Sequence, residues 1–273
     1  MNKLKITTWL IIFLTAATIL ALGIKGFFSS KPVSGENIYS TTEYMWYYLP
    51  HEPEKQPKPM EKAQYLSNYD VLFVGSPDSK SLYLTFDDCP NNSNIPKILD
   101  VLEKHDAPAV FFMTEDYIRQ HPDVIQRIVG GGSIVGNHTS SHVGVTGLSF
   151  SKFEEELNGV EEAYREATGF ELPKYFRPPQ GKFNELTLSY AERLGYTTVF
   201  WSFRYSDWDV NNQKSEDIAF SLIMAETHPG AILLLHSQSS TNVKILDRLL
   251  TVWEEQGYAF KPISDIDKKA AMN

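Results

Sequence analysis

The sequence predicts an α/β protein whose parallel strands curl into a closed or nearly closed barrel. From Ser81 onward, short strand-like runs alternate with longer segments that have the apolar spacing of helices. Such alternation is typical of a parallel sheet with crossover helices. Seven predicted strands with six crossovers suggest a barrel, in which chemistry gathers beyond the carboxyl ends of the strands.

The predicted elements follow one another along most of the chain. The strands are residues 81–86, 109–113, 133–136, 174–177, 196–202, 230–235 and about 258–262. Apolar spacing and helix start signals place helices at residues 93–105, 121–130, 150–168, 184–194, 214–227 and 240–256. The first strand ends on Asp87 and Asp88, and we expect the rest of the site at the neighbouring strand ends.

Length and composition limit the classes of protein that this chain can be. Its 273 residues, 42% of them hydrophobic, can bury one large core, so we expect one catalytic domain with appendages. Residues 1–30 contain three lysines and no acidic residue, so all 34 acidic residues fall in the remainder. That acidic surface is unfavourable for nucleic acid. The single cysteine, Cys89, excludes an intrachain disulfide framework and a cysteine-rich zinc module.

The first 30 residues are predicted to be an N-terminal membrane anchor. Residues 6–24 carry no charge and follow Lys3 and Lys5, which favours one transmembrane helix with its N-terminus in the cytoplasm. A cleaved signal segment is the alternative, because residues 21–23 resemble a cleavage site. We favour the anchor because the apolar run is longer than a usual signal core. Either way, the body is expected outside the membrane.

Residues 31–70 are predicted to be a Pro-rich spacer that lies along a catalytic domain of residues 71–268. Its aromatic triplet, Trp46, Tyr47 and Tyr48, is expected to pack onto the body. Sugar stacking by these side chains is the alternative, since exposed aromatic residues mark binding surfaces.

Two adjacent carboxylates and two histidines suggest a metal centre. Neighbouring residues at a strand end point in opposite directions, so Asp87 and Asp88 can hold different functions, although an Asp-rich turn is the plainer interpretation. His138 and His142 follow the third predicted strand, and alone they also fit ordinary surface or core histidines. Together with Asp88 they give a two-histidine, one-carboxylate set with open positions. Zinc is the default expectation, and cobalt or another divalent ion also suits the set.

The fourth predicted strand leads into a stiff loop. Pro178 and Pro179 remove two backbone donors, so the next N–H, that of Gln180, can point inward to stabilise an oxyanion. Arg177 can hold Asp87 by a charge-assisted hydrogen bond, and an ordinary salt bridge at the end of the barrel is the alternative.

A histidine ends the apolar strand of residues 230–235. A lone histidine in that position, His236, is more often structural. Asp207, which precedes Trp208 at another strand exit, is available to orient the ring and raise its pKa. That arrangement suits a general acid that protonates a leaving amine.

Five segments together resemble the five motifs of the polysaccharide deacetylase family, carbohydrate esterase family 4. They are Thr85-Phe86-Asp87-Asp88, His138-Thr139-Ser140-Ser141-His142, Arg177-Pro178-Pro179-Gln180-Gly181, Asp207-Trp208 and Leu233-Leu234-Leu235-His236. The resemblance covers about residues 65–265. It implies a distorted (β/α) barrel of seven or eight units that removes acetyl groups from N-acetylated sugars with a divalent metal.

The resemblance also assigns roles by position. The implied metal ligands are Asp88, His138 and His142. The implied proton-handling residues and their supports are Asp87 as base with Arg177 as its tether, and His236 as acid with Asp207 behind it. The implied lining of the acetyl-methyl pocket is Leu234 and Trp208.

Two residues depart from the family pattern. Cys89 stands where the family has glycine, which puts the conformation of the metal loop in doubt and places a thiol near the metal. Arg204 stands where many members carry an extra aspartate. A wall-binding module without turnover, caused by Cys89, is therefore one rival hypothesis.

A narrower resemblance concerns the substrate. Residues 44–59, 69–75, 199–202, 207–210 and 228–230 resemble sporulation deacetylases that make muramic δ-lactam in spore cortex peptidoglycan. It implies N-acetylmuramic acid in peptidoglycan glycan strands as substrate, after an N-acetylmuramoyl-L-alanine amidase has removed the peptide. A deacetylase for N-acetylglucosamine in peptidoglycan or chitin-like glycans is the alternative, because the acetamide is common to both sugars.

Overall fold

The computed structural model describes residues 39–88 and 94–267. The expected membrane anchor in residues 1–30 and the loop residue Cys89 lie outside the described residues. Within the described ranges, no helix has both the length and the apolar character needed to cross a membrane.

The strands of the described residues form a large parallel sheet and a small antiparallel one. In chain order they are β1 (Tyr44–Met45), β2 (Val71–Leu72), β3 (Ser81–Asp87), β4 (Ala109–Met113), β5 (Ile134–Asn137), β6 (Tyr175–Phe176), β7 (Lys182–Phe183), β8 (Thr197–Val199), β9 (Phe203–Arg204), β10 (Ala231–His236) and β11 (Ala259–Phe260). Nine of them form the main sheet in the order β2-β8-β6-β5-β4-β3-β10-β9, with β11 paired to β3. The two others, β1 and β7, form a small antiparallel sheet.

The main sheet is curled but open, so the prediction of a closed or nearly closed barrel holds in part, as a parallel half-barrel. Its end strands are β2 and β9, and the ladders between described residues do not join them. The physical reason lies in the length of the end strands: β2 and β9 have two residues each, which offers too short a ladder to close a barrel. The α/β class and the parallel direction of the strands are as predicted.

Helices cover the outside of this half-barrel. They are α1 (Ile95–Lys104), α2 (Glu115–Gln120), α3 (Pro122–Gly130), α4 (Phe150–Thr168), α5 (Glu185–Arg193), α6 (Glu216–Ala225) and α7 (Ser240–Glu255). All six predicted helices are present with ends within two residues of the prediction. The helix α2 was not predicted, because six residues are too few to show a helical repeat.

Strand β3 is the centre of the sheet. All seven of its residues are buried, as expected for a strand with neighbours on both sides. It pairs with β4 on one side and with β10 on the other, in a register that sets His236 beside Asp87. The sheet therefore fixes an acid and a histidine side by side at its carboxyl edge.

Trp46 is one of the buried side chains by which the segment before β2 packs onto the body. Trp46 is only 1% exposed, its ring stacks on Phe200 at a centroid distance of 4.4 Å, and its Nε1 donates to the Trp201 carbonyl over 2.9 Å. Tyr48 is half-buried, whereas Tyr47 is exposed. The expected packing of the triplet thus holds most fully for Trp46.

We expect Trp46→Ala to destabilise the fold by about 3–5 kcal/mol, because it removes a large buried side chain and leaves a cavity. Urea unfolding followed by circular dichroism measures the change. Met45→Ala is the matched control, since Met45 is the neighbouring residue and is 55% exposed; its effect should be within about 0.5 kcal/mol. Equal stability of the two variants would contradict the packing described for Trp46.

Candidate functional site

The carboxyl ends of the strands open into a cavity of about 540 Å³. Eight of the ten predicted site residues line it, while Arg177 and Asp207 lie behind this lining. The lining residues are Met45, Trp46, Asp87, Asp88, His138, His142, Gln180, Gly181, Trp201, Arg204, Trp208, Leu234, His236 and Gln238. Trp46 was named from the sequence only as an alternative sugar-stacking residue. Met45 and Trp201, which form the same wall, were missed because such residues carry no sign of a site in a sequence.

A buried ion pair orients Asp87. Arg177 Nη1 donates to Asp87 Oδ1 over 2.7 Å, and the Arg177 side chain is fully buried. Burial alone would raise the pKa of Asp87, but Arg177 and the neighbouring histidines outweigh burial and hold that pKa below its ordinary value. The carboxylate is therefore ionised at neutral pH.

The other two guanidinium nitrogens of Arg177 also donate hydrogen bonds, which helps to make a buried guanidinium tolerable. Its Nε donates to the Val199 carbonyl over 3.0 Å and its Nη2 to the Phe200 carbonyl over 3.2 Å. Nη1 also donates to Thr85 Oγ1 over 2.8 Å, and the guanidinium lies 4.1 Å from the centroid of the Phe112 ring. Thr85 therefore helps to position the Arg177 guanidinium, whereas in the sequence it was recognised only as part of a motif.

Two histidines face the cavity beside Asp87. The rings of His138 and His142 are 4.9 Å apart between centroids, and His138 Nε2 lies 3.7 Å from Asp87 Oδ2. His138 Nδ1 hydrogen-bonds the Arg177 carbonyl over 2.8 Å. A carbonyl can only accept, so Nδ1 carries the proton and Nε2 keeps its lone pair on the cavity side.

The donor types fit a divalent metal. Burial lowers the pKa of His138 to about 4 and lowers that of His142 as well, so both rings are neutral, as metal ligands must be. Asp88 is buried on the same cavity, and its N–H donates to the Phe112 carbonyl over 3.0 Å. In the described part of the chain, however, no three His, Cys, Asp or Glu side chains already stand in a metal-binding arrangement.

His236 is held by the carboxylate of Asp207. The ring Nδ1 lies 2.7 Å from Asp207 Oδ1, and the His236 backbone N–H donates to Asp207 Oδ2 over 2.8 Å. Burial would lower the pKa of His236, but the hydrogen bond and the charge of Asp207 raise it above its ordinary value. The two pKa shifts therefore go in opposite directions: that of Asp87 favours the ionised carboxylate, and that of His236 favours the protonated ring.

Asn242 supports this pair and was missed in the sequence. Its Nδ2 donates to Asp207 Oδ2 over 2.7 Å and to the His236 carbonyl over 3.2 Å, while its Oδ1 accepts from the Tyr205 hydroxyl. Asn242 is almost fully buried in the first turn of α7. A polar residue on the apolar face of that helix was the available sequence signal.

Strained backbone marks two of the site loops. Among the described residues, five that are not glycine have a positive φ, and three of them are Thr139, His142 and Gln180, at φ 68°, 56° and 60°. Each such residue costs of order 1 kcal/mol and persists where the surroundings enforce it. The loop of residues 177–181 thus presents Gln180 at the cavity in a conformation that its sequence alone disfavours.

The two residues predicted to surround an acetyl methyl group differ in exposure. Leu234 is buried on β10, two residues before His236, and lies on the same cavity. Trp208 is 59% exposed, so its indole forms part of the mouth of the cavity.

The comparisons with known proteins agree with this geometry. A family profile described as polysaccharide deacetylase matches residues 74–199. The peptidoglycan-N-acetylmuramic acid deacetylase PdaA of Bacillus subtilis is 39% identical over 216 residues, which cover 79% of this chain and 81% of that protein. The chain belongs to the polysaccharide deacetylase family. It is a hydrolase of the class that cleaves N-acetyl amide bonds.

A solved structure and a second relative extend the comparison of this polysaccharide deacetylase. The solved structure of Bacillus subtilis PdaA, a family 4 carbohydrate esterase, matches with a TM-score of 0.80 and 36% identity, covering 83% of this chain and 97% of that one. A peptidoglycan-N-acetylglucosamine deacetylase of Bacillus cereus is 28% identical, covering 78% of this chain and 79% of that protein.

We expect Asp207→Asn to lower the pKa of His236. The substitution removes the charge that raises this pKa and leaves the opposing effect of burial in place. Titration of the imidazole by NMR in both proteins, under the same metal conditions, measures the change. Asp209→Asn is the control, because that carboxylate accepts from the Asn211 N–H instead. An unchanged His236 midpoint in Asp207→Asn would contradict the pairing.

Proposed function

We propose that this polysaccharide deacetylase removes the acetyl group from N-acetylmuramic acid in peptidoglycan by metal-dependent amide hydrolysis. The observation that carries the reaction class is the pairing of Asp87 with His236 on neighbouring strands, with pKa values shifted in opposite directions. A base that is ionised and an acid that is protonated at the same pH are what amide hydrolysis needs.

In this mechanism Asp87 takes a proton from the attacking water while Arg177 keeps the carboxylate ionised and oriented. His236, steadied by Asp207, gives its proton to the departing sugar nitrogen. The N–H of Gln180 donates to the oxyanion that forms on the acetyl carbonyl. Leu234 and Trp208 border the acetyl methyl.

The metal would be held by Asp88, His138 and His142. A divalent ion there supplies Lewis acidity and lowers the pKa of water. The support lies in the donor types, in the neutral rings and in the shared cavity. Zinc is the ion we propose first, and cobalt is an alternative that suits the same ligands.

The sugar is proposed from the relatives. The muramic acid deacetylase PdaA is more similar to this chain than the Bacillus cereus N-acetylglucosamine deacetylase, at 39% against 28% identity over similar lengths. N-Acetylglucosamine in peptidoglycan or chitin-like glycans remains the second candidate, since the catalytic groups act on the acetamide that both sugars carry.

A sequence of reactions follows for muramic acid whose peptide an amidase has removed. Hydrolysis releases acetate and leaves an amine next to the free lactyl carboxyl. That amine then attacks the carboxyl with loss of one water, and ring closure is favoured because both groups belong to one molecule. We propose muramic δ-lactam of spore cortex as the product, and an extracytoplasmic site for the reaction, with the first 30 residues as a membrane anchor or a signal segment.

The two aspartates should fail in different ways when substituted. Asp88→Ala should lose bound metal and activity together, because it removes a ligand. Asp87→Asn should keep the metal and lose turnover by about 10²-fold or more, because it removes the base. Elemental analysis and acetate release measure the two properties, and His236→Ala serves as a second variant that should keep the metal. Metal lost from Asp87→Asn but kept by Asp88→Ala would reverse the assignment.

The substrate is tested by mass spectrometry of muramidase digests, after incubation of the enzyme with amidase-treated peptidoglycan. We expect muramic residues to lose acetyl and water, because deacetylation is followed by ring closure. Peptidoglycan without amidase treatment is the control and should give no lactam, since its lactyl carboxyl is blocked by peptide. Loss of acetyl from glucosamine alone would contradict muramic acid as the substrate.

A further inference from the structure

Arg204 is a cation at the catalytic cavity that the mechanism does not use. Its exposed side chain lines the cavity that contains Asp87, His142 and His236. No acidic side chain of the described residues forms an ion pair with its guanidinium. By resemblance, this position carries an aspartate in many family members, so the charge here is the reverse of the usual one.

The sheet register fixes where Arg204 lies. On β9 it is the pairing partner of Leu234 on β10, which in turn pairs with Thr85 on β3. Paired residues of a parallel sheet share a face, and residues two apart along a strand do too. Asp87 and His236 each lie two residues further along their strands, so Arg204 is on their face. At about 4.8 Å between neighbouring strands, it is one strand from His236 and two from Asp87.

The charges of the neighbouring groups determine how much Arg204 matters for an anionic substrate. Arg177 compensates Asp87, and the proposed divalent ion would compensate Asp88, so the repulsion of an anionic substrate comes from the net charge of −9 of the whole chain. Arg177 is committed to Asp87 and lies behind the lining. Among the described lining residues, Arg204 is the permanent cation, so it is the group that can offset this repulsion.

The surroundings of Arg204 leave space for a substituent. Tyr47, Tyr48, Tyr205 and Ser206 form with it a second depression of about 360 Å³ that adjoins the main cavity through Arg204. The Tyr48 hydroxyl accepts the Arg204 backbone N–H over 3.2 Å, which anchors the residue while its guanidinium stays available.

We propose that Arg204 binds a carboxylate that the substrate carries beside its acetamide group, and that it thereby selects muramic acid over glucosamine. This inference rests on the proposed function, because in N-acetylmuramic acid the lactyl ether is attached to the ring carbon next to the one that bears the acetamide. A guanidinium binds a carboxylate through two parallel N–H···O bonds. The carboxylate that we propose Arg204 binds is the lactyl carboxyl. The carboxyl groups of a stem peptide are the other carboxylates that a peptidoglycan substrate could offer to Arg204.

The test compares four soluble substrates: muramic acid glycans with a free lactyl carboxyl, the same glycans as methyl esters, the same glycans bearing a stem peptide, and N-acetylglucosamine oligomers. We expect wild-type kcat/KM to be highest for the free carboxyl and to fall with added salt for that substrate alone. In Arg204→Gln, kcat/KM should fall about 10- to 100-fold for the glycan with a free lactyl carboxyl. For the methyl ester and the glucosamine oligomers it should fall less than about twofold.

Arg204→Lys should recover part of the loss, because it restores the charge without the paired donors. Arg165→Gln is the matched control, since that arginine lies in the last turn of α4 and pairs with Glu171 at 3.6 Å; its substrate ratios should equal those of wild type. Thermal unfolding and metal content show whether the variants remain intact, and the wild-type ester comparison needs no variant at all.

The outcomes separate the two levels of the proposal. An equal loss on the free carboxyl and the ester in Arg204→Gln, or equal wild-type rates on them, would overturn the role of Arg204 and leave muramic acid deacetylation standing. A higher kcat/KM for the peptide-bearing glycan that falls with added salt would show that Arg204 binds a carboxyl group of the stem peptide, and it would overturn the lactyl carboxyl as its partner. Activity on glucosamine oligomers alone would overturn the proposed function itself.

Discussion

The buried contact between Arg177 and Asp87 is the interaction on which the rest of the site depends. The guanidinium reaches from the end of β6 to the end of β3, and its other donors bind the carbonyls of Val199 and Phe200, where β8 leaves the sheet. Its own carbonyl accepts from His138. Removing either charge of such a pair leaves the other uncompensated, at a cost of about 3–5 kcal/mol. Arg177 therefore orients the Asp87 carboxylate, fixes the tautomer of His138 and connects three strand ends.

The second constraint is the pairing of β3 with β10, because it decides which groups meet. Asp87 and His236 are pairing partners, yet their surroundings differ: Asp87 faces a guanidinium, and His236 is held by Asp207 and Asn242. The pKa of the carboxyl falls and that of the imidazole rises. The sheet thus brings two groups together while their separate partners push them towards opposite protonation states, which is the condition for acid and base catalysis in one cavity.

Much of this arrangement could be predicted from the sequence, since strand ends and helix periods are local signals. The six long helices and the strand that ends on Asp87 were predicted in this way. The position of the predicted site residues at the carboxyl edge of the sheet was predicted too. Of the two-residue strands, β6 and β11 were predicted, whereas β1, β2, β7 and β9 were not, because their pairing depends on the arrangement of the whole chain. Asn242 was missed for a related reason: its partners Asp207 and His236 are distant in sequence or separated by a turn, so only the fold shows that its amide is used.

The central claim is that Asp88, His138 and His142 hold a divalent metal on which hydrolysis by Asp87 and His236 depends. Acetate release from a soluble N-acetylated glycan, by protein purified without added metal, then treated with chelator and finally resupplied with zinc or cobalt, tests it most directly. We expect chelation to abolish acetate release and resupply to restore it, with activity following the metal content. Acetate release that continues unchanged in protein shown to be free of metal would contradict the account.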